Sequence, residues 1–205
     1  MRYTMVIDTS KCIGCRACAV ACKSNNNLPD GIWYNRVDTV GTDEIDLASG
    51  TYPNDLTLGF MPITCMHCDA PACVAVCPAS ATWKEDNGIV VIDNEKCIGC
   101  KSCIAACPYD VRHFIDGEPK FQVDFALGDA DAPSHKVNTT EKCTFCSNRL
   151  LRGEVPACME LCLGRCRIWG DIDDPASEVN AYIKGKETFK LLEEKGTAPA
   201  TIYIR

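Results

Sequence analysis

Apolar positions in this chain come in short bursts. "YTMVID" (3–8) and "GIVVID" (88–93) are β-prone runs closed by an aspartate, and each predicts a short strand running into a cysteine-rich loop. "ACAVACKSN" (17–25) and "SCIAACP" (102–108) predict short helical pieces that carry the last cysteine of a group. Two long stretches, 28–61 and 109–142, hold no sustained period. The first carries Asp30-Gly31, Gly41-Thr42, Ser49-Gly50 and Tyr52-Pro53, the second Asp116-Gly117 and Ala132-Pro133-Ser134. Both are expected to be loops with at most short strands, and loops this long are usually functional or make contacts. Ser147–Val155 is expected to form a longer loop or turn.

The pattern repeats. Met5–Cys15 returns as Val90–Cys100, an offset of 85 residues from Cys12 to Cys97. The same offset carries Pro71-Ala72-Cys73 onto Pro156-Ala157-Cys158 and Cys77 onto Cys162. Two related halves therefore make up the sequence, each with two cysteine groups. Gly14 and Gly99 hold matching places in the tight loops, where close approach of the backbone to a bulky ligand favours a residue without Cβ.

Composition changes this picture in one respect. The 205 residues are 46% hydrophobic and 24% charged, as in a globular protein, but 17 are cysteine. The net charge of −7 argues against a nucleic-acid partner. The apolar run after Arg2 stops at Asp8, too short for a secretory h-region, and no run approaches the ~20 residues of a membrane span. Neither an export signal of its own nor a transmembrane helix is expected.

Spacing decides what the cysteines do. They fall at 12, 15, 18 and 22; 65, 68, 73 and 77; 97, 100, 103 and 107; and 143, 146, 158 and 162, with Cys166 left over. Structural zinc takes four ligands, usually as two separated pairs. Neighbours at i and i+3 in a tight loop rarely reach relaxed disulfide geometry. Three evenly spaced thiolates with a fourth displaced by one residue suit three corners of a cubane, the fourth cysteine turning to a second cluster, as in two-cluster bacterial ferredoxins. Sixteen ligands make four [4Fe–4S] clusters. Sequence order would pair the first group with the second. Pro78 and Pro108 follow Cys77 and Cys107, whereas Lys23 and Leu163 follow Cys22 and Cys162, which suggests an inner unit nested within an outer one.

With these groups in hand the chain resembles the four-cluster B-type subunits of the dimethyl sulfoxide reductase family of molybdenum enzymes. "CMHCDAPACVAVCP", "TTEKCTFCSNRL" and the ending "GTAPATIYIR" look like family signatures. The resemblance implies an α+β fold of tandem, nested bacterial-ferredoxin-like units. The outer unit is about 1–27 with 138–175 and the inner about 60–115, with insertions 28–59 and 116–137 and a C-terminal tail 176–205. It implies that cluster 1 takes Cys12, Cys15, Cys18 and Cys162, and cluster 2 takes Cys143, Cys146, Cys158 and Cys22. Cluster 3 then takes Cys65, Cys68, Cys73 and Cys107, and cluster 4 takes Cys97, Cys100, Cys103 and Cys77. Cys100 stands where some nitrate reductase subunits have Trp and a three-iron cluster, so four irons are expected. "CLGRCRIWG" departs from the family's proline after the last cysteine, and Cys166 is read as a small buried side chain, the alternative being a substitute ligand that competes with Cys162.

The resemblance also implies a large catalytic partner with a molybdenum or tungsten bis-pterin guanine dinucleotide cofactor and, in some members, a membrane-anchoring, quinol-oxidising subunit. It leaves two compartments open: the cytoplasm, or export bound to a signal-bearing catalytic subunit. Oxygen-sensitive clusters fit anaerobic respiration. Lys11, Arg16, Lys96, Lys101, Lys142 and Arg165 flank ligand cysteines, where cations would raise cluster potentials. His67 is read as a neighbour of its cluster rather than a ligand, because four thiolates are already available. Trp33, Trp83 and Trp169 are read as packing or interface residues. No nucleophile–base set and no phosphate loop is present. The chain is thus read as an electron-transfer subunit, not an enzyme by itself, relaying single electrons to a catalytic subunit. The competing reading is a free-standing polyferredoxin serving several enzymes.

Overall fold

The computed structural model describes residues 1–205. In chain order it comprises β1 (Tyr3–Asp8), α1 (Ala17–Asn25), β2 (Asn35–Thr39), β3 (Phe60–Thr64), α2 (Ala72–Ala75), β4 (Thr82–Lys84), β5 (Val90–Ile92) and α3 (Ser102–Ala105). There follow β6 (His113–Phe114), β7 (Thr140–Glu141), α4 (Ser147–Leu151), α5 (Ala157–Glu160), β8 (Arg167–Asp171), α6 (Glu178–Ile183), β9 (Thr188–Phe189) and β10 (Ile202–Ile204). The elements are short because the cysteine loops interrupt every run. The fold is mixed α and β.

The β-prone run at residues 3–8 becomes β1, buried from Thr4 to Asp8. It lies inside a four-stranded sheet of order β8-β1-β10-β9. β8 pairs antiparallel with β1, Val6 opposite Ile168, and β10 pairs parallel with it, Val6 opposite Ile202. The stretch read from sequence as a tail is therefore built into the sheet. A buried central strand needs both neighbours to satisfy its backbone groups, and β10 supplies one of them. Its Tyr203 is fully buried and donates its hydroxyl to the Pro62 carbonyl at 2.8 Å.

Three two-stranded ribbons, β2–β3, β4–β5 and β6–β7, complete the strands. The β4–β5 hairpin is the repeat partner of the β1–β8 pair. Both long insertions are loop-rich with short strands, as expected from sequence. Ser147–Val155 differs from expectation: Ser147–Leu151 closes a helical turn. Arg149 holds it there, donating from Nε to the Val155 carbonyl at 2.8 Å and from Nη1 to Asn25 Oδ1 at 3.0 Å.

The largest core collects Met5, Ile7, Ile63, Met66, Ile89, Tyr109, Val111, Phe145 and Tyr203 around buried Cys65. Cys68, Cys107, Cys143 and Cys158 pack against the same core. Residues of all but the first cysteine loop thus share one apolar interior.

Candidate metal centres

Each ligand loop is set by its backbone. Gly14 and Gly99 have φ of +69° and +70°, a region open to glycine. A Cβ on Gly14 would meet the Phe60 ring at 2.5 Å, and one on Gly99 would meet the Asn138 carbonyl oxygen at 2.4 Å. The glycines thus answer to a left-handed turn and to the packing behind the loop. Arg16 and Lys101, at matching places, also take left-handed φ and start α1 and α3. α1 carries Cys18 and Cys22, whereas the shorter α2, α3 and α5 end two residues before Cys77, Cys107 and Cys162.

The helices pack in two pairs, α1 against α5 and α2 against α3. This brings cysteines from distant groups together. Cys12, Cys15, Cys18, Cys162 and Cys166 line one cavity. Cys97, Cys100, Cys103 and Cys77 line another. Cys22 stands among Cys143, Cys146 and Cys158, and Cys68 among Cys65, Cys73 and Cys107. Cys143 also lies within the electrostatic reach of Cys65.

The donor chemistry fits iron–sulfur clusters. No three His, Cys, Asp or Glu side chains converge closely enough to grip a single ion. Two of the four groups of thiols line enclosed cavities instead, which suits a cluster better than a single ion. Burial pushes the Cys68 thiol up to about 11, Cys146 to about 12 and Cys158 to about 11, the last against the opposing charge of Arg167. Thiolates at such sites need a cationic centre to hold them deprotonated. Backbone N–H groups of Ala81, Phe145 and Cys166 donate to the sulfurs of Cys77, Cys143 and Cys162, each at 3.3 Å.

Comparisons with known proteins bear on the same residues. A 4Fe-4S dicluster domain model matches residues 56–122, and a 4Fe-4S binding domain model matches residues 3–24. The chain is 47% identical to the iron-sulfur B component of a putative dimethyl sulfoxide reductase of Halobacterium salinarum, over 98% of this chain and 78% of that protein. It is 38% identical to the arsenate respiratory reductase iron-sulfur subunit ArrB of a Shewanella species, over 100% and 97%. It is 36% identical to the B component of the polysulfide reductase of Wolinella succinogenes, over 99% and 94%. The chain therefore belongs to the iron–sulfur B subunits of the dimethyl sulfoxide reductase family.

In this family member the residues picked out by sequence lie at very different depths. Lys142 is 1% exposed; its Nζ donates to the carbonyls of Cys143, at 2.7 Å, and Val90. Lys11, Lys96, Lys101 and Arg165 are exposed. Lys11 lies over the Tyr182 ring, Lys101 over Phe114, and Lys96 over Trp83 and against Asp93. Arg16 is half-buried and paired with Asp46 at 3.1 Å, which offsets its charge. His67 is buried; the Val90 N–H donates to its Nδ1 at 3.0 Å, so in the neutral ring Nε2 carries the proton, and no protein acceptor meets it. Burial, with Lys142, Arg112 and Lys84 nearby, holds this imidazole well below the usual histidine range and neutral. Trp169 packs between Tyr3 and Phe145, while Trp33 and Trp83 stay partly exposed under lysines.

Cys166 is buried, its sulfur 3.4 Å from that of Cys162. A hydrogen bond with Cys12, burial and the neighbouring Cys162 hold its thiol protonated, while Cys12 is pushed down to about 6.

Two residues escaped the sequence reading. Arg112 and Arg167 are 3% and 2% exposed. Arg112 Nη2 donates to Cys73 Sγ at 3.1 Å and Thr82 Oγ1 at 3.0 Å. Arg167 Nη2 donates to Asn35 Oδ1 at 3.0 Å and approaches Cys18 Sγ at 3.6 Å. A signal was present: each arginine stands five residues after the last cysteine of its group, Cys107 or Cys162.

Proposed function

We propose that this chain relays single electrons through four [4Fe–4S] clusters to a separate catalytic subunit that carries a molybdenum or tungsten bis-pterin guanine dinucleotide cofactor. The ligand sets are Cys12, Cys15, Cys18 and Cys162; Cys143, Cys146, Cys158 and Cys22; Cys65, Cys68, Cys73 and Cys107; and Cys97, Cys100, Cys103 and Cys77. Helix pairing and the shared cavities support this nested assignment. So does the dicluster match, which spans the second and third groups together. On this reading an inner unit, about 60–115, sits between the two parts of an outer unit, about 1–27 and 138–175.

The observation that carries the reading is the position of Cys143, within electrostatic reach of Cys65 and packed against the apolar core that contains Cys65 and also packs Cys158, Cys68 and Cys107. It joins the outer pair of centres to the inner pair, making one path rather than two isolated units. When bound, the clusters supply the one-electron carriers. The chain's own residues hold them at fixed separation, exclude water through the apolar core, and donate N–H groups to the sulfurs. Relatives are named as subunits of dimethyl sulfoxide, arsenate and polysulfide reductases, which favours flow toward a catalytic reductase subunit. No helix of the structure is long and apolar enough to cross a membrane. Exposed apolar side chains in the two long insertions, among them Ile45, Tyr52, Leu56, Phe121 and Phe125, suit a protein partner better than a free carrier.

Iron and sulfide analysis of anaerobically prepared protein should return about sixteen of each per chain. Purification from its host should bring a molybdopterin-containing subunit in fixed ratio. Zinc in place of iron would remove the cluster reading, and a lone chain on gel filtration would return it to a polyferredoxin.

A further inference from the structure

Three cationic side chains are buried to 3% exposure or less without a carboxylate partner: Arg167, Lys142 and Arg112. A buried charge left uncompensated is among the costliest defects a fold can carry. Three together would rival the whole stability of a domain. Something anionic must therefore face them. Arg167 Nε and Arg112 Nη1 are also buried without any hydrogen-bond acceptor from the protein. Orphaned guanidinium donors are rare in a folded chain and point to an acceptor the polypeptide does not provide.

Their placement is ordered. Arg167 lies between Cys18 and Cys158, one sulfur 3.6 Å and the other 3.9 Å away. Lys142 is hydrogen-bonded to the carbonyl of Cys143, and its charge reaches Cys73. Arg112 bonds to Cys73 and also lies against Cys103. On the ligand sets proposed above, each arginine touches residues of two consecutive clusters, Arg167 the first and second and Arg112 the third and fourth, while Lys142 touches the second and its charge reaches the third.

We infer that Arg167, Lys142 and Arg112 form a ladder of junction cations, one between each pair of successive clusters, which raises the potentials of the two clusters it separates. A cluster gaining an electron becomes more negative and repels charge on its neighbour. A fixed cation between them favours the reduced form of both and lets adjacent clusters be reduced together. The low dielectric of the core keeps each effect local to its junction. The two arginines cannot lose their protons, so their two rungs stay charged at working pH. Thr82 and Asn35 are positioning residues that orient the guanidinium groups.

The inference rests on the proposed cluster assignment, and its test separates the two. Arg167→Gln, Arg112→Gln and Lys142→Met are made in the full chain within its complex, with Arg167→Lys and Arg112→Lys as conservative partners. Iron content and potentiometric titration followed by electron paramagnetic resonance are read on each. Iron far below about sixteen in the parent protein would fail the cluster reading itself. With iron intact, each neutral variant should make reduction of the two flanking clusters at least tenfold less favourable, about 59 mV for one electron. The other two clusters should move less than threefold, and the lysine variants should recover most of the loss. No shift, or an equal shift of all four clusters, overturns the ladder. If a glutamine variant loses its clusters and the lysine variant keeps them, the requirement is for positive charge, as inferred. If both lose them, the arginine acts by its shape, and the ladder is overturned.

Discussion

Lys11, Lys96 and Lys142 each stand one residue before the first cysteine of a group, yet only Lys142 is buried. It directly follows β7 and reaches the carbonyl of Val90 on β5. Its neighbour Glu141 is buried too, accepting from the Tyr34 hydroxyl and from His135 Nδ1, both at 2.7 Å. His135 Nε2 donates to the Asn26 carbonyl at 3.1 Å, so both ring nitrogens face acceptors and the imidazolium is favoured. Burial pulls this histidine down, but the hydrogen bond and charge of Glu141 outweigh it and leave it raised. Such a group adds stability fully below its unfolded value, about 6.5, and the contribution is lost as pH rises through the higher folded value. Denaturant unfolding of His135→Gln should therefore show a larger loss at about pH 5.5 than at about pH 8, of order 1–3 kcal/mol at the lower pH. Cys166 gives a second test at this scale. On the proposed ligand sets, Cys166→Ala should keep about sixteen irons, because its thiol lies beside Cys162 without taking its place. Loss of a whole cluster would make it a ligand.

Between single residues and the whole lie short elements held by few contacts. α4 is five residues long, far too short to persist alone. Arg149, with its side chain 12% exposed, ties it to Val155, to Asn25 on α1 and to Glu160 on α5. Arg149→Ala should cost about 1–3 kcal/mol, read as a fall of several degrees in melting temperature and as faster iron loss from the cluster proposed at Cys146 and Cys158. The loop at Gly99 is equally exacting. Gly99→Ala places a Cβ against the Asn138 carbonyl and forces a left-handed φ, which alone costs about 1–2 kcal/mol. Its effect should be local: iron analysis of the variant should show loss at the centre proposed at Cys97, Cys100 and Cys103, with the others filled.

Across the whole molecule, three buried cations and a core studded with thiols tie the fold to its clusters. Stripping iron with a chelator under oxidising conditions leaves Arg167, Lys142 and Arg112 facing only neutral groups. The stripped protein should lose its cooperative thermal transition and expose apolar surface, while the loaded protein melts as one unit; circular dichroism with a hydrophobic dye would read both. The strands at residues 3–8 and 90–92, the helix at 17–25, the repeat and the sixteen-cysteine spacing are all visible in the chain, because each depends on local pattern and ligand-loop geometry. Which lysine is buried, that residues 202–204 complete the central sheet, and that Arg112 and Arg167 lie between cysteine groups depend on contacts between residues far apart in sequence. An arginine five residues past a cysteine looks the same in the chain whether it meets water or two thiols, and only packing decides its dielectric surroundings and hence what its charge can do.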